Sequence, residues 1–276
     1  MKRILLNVLA VVLMVAAFTA CGGGGGGFGG SSYTIKMTTE GSGGGFHLSG
    51  SGVATVDWGD GSEKVSLTLD ESGYILDFWH DYPSASIRTI TVNGDNITLL
   101  RCGYVTSLDV RGATALTYLD VSGNLTSLDV SKNTALTGLE VSNNQLISLD
   151  VSKNTALTIL FVGGNQLTSL DVSKNTALTQ LGVGGQLTSL DVSKNTALTQ
   201  LSVGDQLTSL DVSKNTALTE LSVPSNQLTA AALNALFGTL HSNTISGKTK
   251  TIYIRDNPGT ADCDRSIAES KGWRFN

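Results

Sequence analysis

The twelve residues Leu-Thr-Ser-Leu-Asp-Val-Ser-Lys-Asn-Thr-Ala-Leu occur four times unchanged, beginning at Leu125, Leu167, Leu187 and Leu207. A fifth copy, from Leu146, differs only at Ile147. The leucine of each Leu-Asp-Val falls at Leu108, Leu128, Leu149, Leu170, Leu190 and Leu210, in steps of 20, 21, 21, 20 and 20 residues. So regular a period means that each unit packs on a near-copy of itself. One unit offers about seven apolar side chains, worth roughly 1.5–3 kcal/mol each when buried. Ordering its twenty or so residues costs about 1–2 kcal/mol apiece. A lone unit cannot fold, and a stack can.

Leu157–Leu167 reads LxxLxVxxNxL, the frame of a leucine-rich-repeat solenoid with valine in the last strand position. In a short strand Leu160 and Val162 point inward, so Ile159 and Phe161 point outward. The invariant half returns along the other side, and its Ser-Lys-Asn-Thr-Ala run suits turns in which stacked Asn and Thr serve neighbouring backbone groups. The half that drifts carries the displayed strand. Two units, with Gly184-Gly185-Gln186 and Gly204-Asp205-Gln206, are one residue short and lack the frame asparagine. The turn after their strands is expected to tighten.

Residues 97–229 resemble the internalin-like leucine-rich-repeat proteins on this frame and period. The resemblance implies a mainly β solenoid and a surface module that binds other proteins. The displayed residues expected to make contact are Tyr118, Asp120, Glu140, Ile159, Phe161, Gln180 and Gln200. Among them Ile159 and Phe161 beside Tyr118 read as the one apolar patch, rimmed by Asp120 and Glu140, which is the usual composition of a binding hot spot.

The flanks differ from the repeat. Residues 33–93 hold short β-type runs punctuated by Gly and Asp. The runs around Trp58–Gly61 and His80–Tyr82 resemble a PKD-like β-sandwich. After Leu228, residues Leu233, Leu236, Phe237 and Leu240 fall at helical spacing, so 230–276 is expected to close the last repeat with a helix, a strand, a turn and a short helix. The repeats proper occupy 94–229.

At the other end, Lys2 and Arg3 precede an apolar run from Ile4 to Phe18, and small residues precede Cys21. That is the layout of a secretory signal over 1–20. Phe18-Thr19-Ala20-Cys21 resembles a bacterial lipoprotein box, which implies lipidation of Cys21 and an exported, outer-membrane or cell-surface location. Glycines dominate 21–32, a composition for a flexible tether. Loss of Lys2 and Arg3 moves the formal charge from −5 to −7. That balance excludes nucleic acid and anionic lipid surfaces as partners, because both attract basic faces.

The sequence carries no GxSxG, HExxH or phosphate-loop spacing. Cys102 falls at the inward valine position, and Cys102 and Cys263 are read as free packed thiols. The carboxylates Asp109, Asp129, Asp150, Asp171, Asp191 and Asp211 recur evenly, whereas a glycosidase gathers two about a cleft. Turn capping is the preferred role for that ladder and a row of calcium sites the alternative. The chain therefore reads as a non-enzymatic, monomeric binding module without cofactor or metal. Its partner is expected to be a protein, with a glycan or a passive spacer role as the alternatives.

Overall fold

A computed structural model describes residues 33–69, 75–204 and 206–276. The signal, Cys21 and the glycine run lie outside them. Among the described residues no helix is long and apolar enough to cross a membrane.

The chain forms β1 (Tyr33–Asp57), β2 (Val65–Leu69), β3 (Leu76–Asp109), β4 (Tyr118–Gly123), β5 (Gly138–Glu140), β6 (Ile159–Phe161), β7 (Gln180–Val183), β8 (Gln200–Val203) and β9 (Glu220–Ser222). Helix α1 (Ala230–Thr239), β10 (Lys250–Tyr253), α2 (Ser266–Glu269) and β11 (Trp273–Phe275) follow. One sheet runs β11-β10-β9-β8-β7-β6-β5-β4-β3-β1-β2. From β3 to β11 its neighbours are parallel. Parallel neighbours joined by a long return are what a twenty-residue repeat must make.

The inward positions line up across the strands. Leu100, Leu119, Leu139, Leu160, Leu181, Leu201, Leu221 and Ile252 form one row through successive pairings, each at most 1% exposed. Cys102 pairs with Val121 and is buried in the adjacent valine row, where apolar surroundings push its thiol up to about 12. Neither Cys102 nor Cys263 is in a disulfide.

Hydrogen-bonded ladders bind one repeat to the next. Asn133, Asn154, Asn175, Asn195 and Asn215 are fully buried, and each Nδ2 donates to two main-chain carbonyls of earlier repeats. Thr137, Thr158, Thr179, Thr199 and Thr219 each donate a hydroxyl to the carbonyl of the preceding threonine. A second asparagine ladder, Asn144, Asn165, Asn226 and Asn257, skips the two shortened units. There Gly185 takes φ +129°, and a Cβ on it would stand 2.6 Å from the carbonyl oxygen of Asn165. Only glycine fits so close an approach.

β1 and β3 are each too long to be one straight strand, and their register shows where they fold back. Residues 43–48 pair with 76–81, and 46–51 also pair with 96–102. Residues 33–41 pair with 86–94 on one side, while 36–39 pair with 105–109 on the other. Val92 is shared by Ile35 and Val56. The first group continues the solenoid sheet through 97–103, so the sequence boundary at 93/94 falls inside β3. Aromatic packing joins the same region: Phe46 stacks on Phe78 at 5.1 Å, Trp58 on His80 at 5.0 Å, and Tyr82 donates to the Trp58 carbonyl.

At the far end, α1 starts at Thr229, whose hydroxyl accepts from Ala232 N–H, and buries Leu233, Leu236 and Phe237. The helix, the strand and α2 fall where the sequence places them; β11 is an additional strand, parallel to β10, that the spacing does not announce. Trp273 is 1% exposed and donates Nε1–H to the His241 carbonyl.

Candidate functional site

Directly paired residues share a face, so the pairings fix what the sheet displays. One outward row reads Asp77, His47, Arg101, Asp120, Glu140, Phe161, Gly182, Ser202, Ser222 and Tyr253. A second row reads Leu99, Tyr118, Gly138, Ile159, Gln180, Gln200, Glu220 and Thr251. All seven residues proposed from sequence stand in these rows.

They divide into two neighbourhoods. Tyr118, Asp120 and Glu140 gather with Arg101 at the β3–β5 end. The Tyr118 hydroxyl donates to Glu140 Oε1. Arg101 holds Nε 3.7 Å from Asp120, and its guanidinium carbon lies 5.1 Å from the centre of the Tyr118 ring. Asp120 and Glu140 are directly paired carboxylates, an arrangement that repels. Partial burial first, and then Glu140, push the Asp120 carboxyl above its ordinary range. Burial, with the hydrogen bond to Glu140, also raises Tyr118. Glu140 pairs in turn with Phe161.

The displayed rings lie on main chain. A Cβ at Gly138 would stand 2.5 Å from Tyr118 Cδ2, and one at Gly182 would stand 2.6 Å from Phe161 Cδ1. Each ring therefore covers the glycine of the next strand, and the Tyr118 ring also carries the Arg101 guanidinium from the preceding strand. This is why glycine stands at two of the displayed positions.

Gln180 and Gln200 belong to the other neighbourhood. They line a groove of about 550 Å³ with Thr199, Thr219, Asn243 and Lys248, closed on one side by the segment that follows α1. Its lining is rich in amide and hydroxyl groups and has no aromatic.

Sequence reasoning missed part of this face. Tyr118, Ile159 and Phe161 are half-buried and do not form the one apolar patch. Trp79 is 68% exposed and shares the face through its pairing with Gly45. Tyr104, at 86% exposure and φ 58°, stands within β3 at the bulge between Gly103 and Val105. The run Gly43-Gly44-Gly45 was visible in the sequence, but its pairing with Trp79-His80-Asp81, which leaves room for a ring, joins distant segments.

The aspartate ladder has another role. Asp129, Asp150, Asp171, Asp191 and Asp211 each accept from the main-chain N–H of the serine two residues on, at 2.7–2.9 Å. Those bonds and the serine hydroxyls hold the carboxyls below the usual range. Asp109 does the same for Arg111 and is lowered to about 2 by that arginine. These are turn caps. Among the described residues no three His, Cys, Asp or Glu side chains come together as a metal site.

No protein-family model matches the chain, and neither does any curated protein sequence. Solved structures do. The internalin InlJ of Listeria monocytogenes, whose functional domain includes a cysteine ladder, is 29% identical with a TM-score of 0.50, over 62% of this chain and 42% of that one. The internalin InlF of the same species is 27% identical with a TM-score of 0.44, over 53% and 43%. This chain thus spans less than half the length of either internalin. Its ladders are of asparagine and threonine. Its repeats form a leucine-rich-repeat solenoid whose solved neighbours include internalins.

Proposed function

We propose that this chain is a lipid-anchored surface module that binds a protein partner through the displayed face of its repeat strands, without catalysis. The observation that carries the reading is the row Arg101, Asp120, Glu140 and Phe161. It places charge and aromatic surface side by side on consecutive strands whose opposite side is fully buried. Aromatic residues and arginine are enriched where interfaces concentrate their binding energy. The likeness to InlJ supports an interaction role, and the lipoprotein box at Cys21 supports export and tethering. The pairing of 33–57 with both arms of 76–109 supports a PKD-like β-sandwich ahead of the repeats. The burial of Leu233, Leu236 and Phe237 supports a closing role for 230–276.

The test is to screen the chain on an array of extracellular proteins and repeat the screen with Tyr118→Ala and Phe161→Ala. Binding that survives both substitutions overturns the reading. Binding confined to a glycan array favours glycan capture. Silence on both arrays favours a spacer.

A further inference from the structure

The pairing of 43–48 with 76–81 extends the displayed face two strands beyond the repeats and places Trp79 on it. Asp81 pairs with Gly43, Trp79 with Gly45 and Asp77 with His47, so these side chains share one side. The indole lies on bare main chain. A Cβ at Gly43 would stand 3.0 Å from Cζ2, and one at Gly45 would collide with Cε3 and Cζ3. Trp79 Nε1–H donates to Asp81 Oδ1 at 2.9 Å, which fixes the ring's rotation. One side of the ring is therefore covered by backbone, and the other is open, with the residue 68% exposed. Asp77, its side chain 80% exposed, stands on the other flank with an oxygen 2.9 Å from His47 Nε2.

We propose that Trp79 is the floor of a site for a guanidinium group presented by the protein partner. This rests on the protein-binding reading above. The open side of an indole is the negative face of its quadrupole and attracts cations. The two flanking carboxylates accept hydrogen bonds and donate none. The one donor of the ring is already committed to Asp81. A ligand that fits must bring both positive charge and several donors. Guanidinium does so, and it is planar and stacks on aromatic faces, whereas an ammonium is a compact point charge. A neutral sugar can donate hydroxyls to Asp77 and Asp81, but it leaves their charge uncompensated and takes no advantage of the ring's negative face as a cation does. Among the described residues no lysine or arginine stacks on Trp79; the ring–cation pairs are Arg88 with Tyr82, Arg101 with Tyr118, Lys250 with Trp273 and Arg265 with Phe275. Arg101, one strand beyond His47, is turned to Tyr118 and Asp120.

The test is direct because Trp58 and Trp273 are 3% and 1% exposed, so an added probe meets Trp79. The full chain is titrated with the capped peptide Gly-Arg-Gly-Arg-Gly and with a twin carrying citrulline for arginine, following tryptophan emission. The expected result is a saturable change with the arginine peptide that weakens as salt rises. The citrulline twin is expected to bind at least about tenfold more weakly, the loss that a desolvated cation–aromatic contact implies. Followed by titration calorimetry, binding of the arginine peptide is abolished by Trp79→Ala, and Asp77→Asn with Asp81→Asn weakens the emission response while near-ultraviolet circular dichroism stays unchanged. Equal response to both peptides, no response to either, or a response to a neutral glucan oligosaccharide in place of the arginine peptide overturns the proposal. Phe161→Ala is expected to leave the titration intact. If the titration fails while Phe161→Ala still impairs partner binding, only the guanidinium site is lost and the protein-binding reading stands.

Discussion

Phe161 lays its ring on the main chain of Gly182, one strand further along the sheet. The contact separates the two sides of β6. Leu160 is 0% exposed in the core, and Phe161 is half-exposed above the backbone.

Leu160→Ala is expected to cost about 2–5 kcal/mol through the cavity it leaves. Phe161→Ala should stay within about 0.5 kcal/mol, as surface truncations usually do. Urea midpoints of the two variants check this. Equal losses would place the displayed row on the wrong side of the strand.

Asp120 carries a pH dependence. Its folded carboxyl is raised by burial and by Glu140, so the folded state holds its proton more tightly than the unfolded chain. Stability is therefore lost as pH rises from the unfolded value of about 3.8 through the raised folded value. Asp120→Asn should stabilise the protein at neutral pH, and the advantage should vanish near pH 4. Melting curves across that window decide it. An advantage that grows on acidification would contradict the assignment.

His241 has the opposite signature. Its ring packs edge-on against Trp273 at 5.6 Å, its Nε2 bonds the Leu218 carbonyl, and Lys250 lies nearby with Nζ on the His241 carbonyl. Burial first, and Lys250 in addition, hold its folded value below the ordinary one. The unfolded chain then takes up its proton first, and stability falls as pH drops through the unfolded value of about 6.5. His241→Gln should flatten the loss between pH 7 and 5 without removing the contact at Leu218. A variant that declines as steeply as the native chain would show that another group titrates there.

The solenoid was legible because each of its rules is local and repeated. Period, strand register, the inward place of Cys102 and the helix at Leu233–Phe237 all follow from spacing within about twenty residues. The rest depends on pairing between distant segments. Nothing in the period tells that Gly45 lies opposite Trp79, or that 97–103 takes the antiparallel segment 46–51 on one edge and β4 on the other. The Gln180–Gln200 groove is closed by Asn243 and Lys248, which belong to no repeat. β11 is three residues long and is recognised only by its partner β10. For the displayed residues, spacing gave their side of the strand. It did not give the glycine each ring rests on, because that contact joins neighbouring repeats.

The broken asparagine ladder yields the last prediction. Asn165 donates Nδ2 to the carbonyls of Val141 and Val162, and its oxygen accepts from Leu146 N–H. Asn226 resumes the pattern with Val203 and Leu207. Between them the turn Val183-Gly184-Gly185-Gln186 has no such side chain, although it otherwise copies Val162-Gly163-Gly164-Asn165-Gln166. Inserting Asn between Gly185 and Gln186 reproduces the intact unit and offers up to three hydrogen bonds in a buried setting. At about 0.5–1.5 kcal/mol net for each, less the entropy of ordering one more residue at about 1–2 kcal/mol, the gain should be about 1 kcal/mol. Asn175→Ala, in the unbroken ladder, removes donors to Val151 and Asn154 and leaves both carbonyls buried, so it should cost about 2–4 kcal/mol. Urea unfolding of both variants against the native chain, at constant slope, gives the two numbers. Should the insertion destabilise, the tight Gly185 turn is the preferred geometry of that unit and the missing asparagine is no defect.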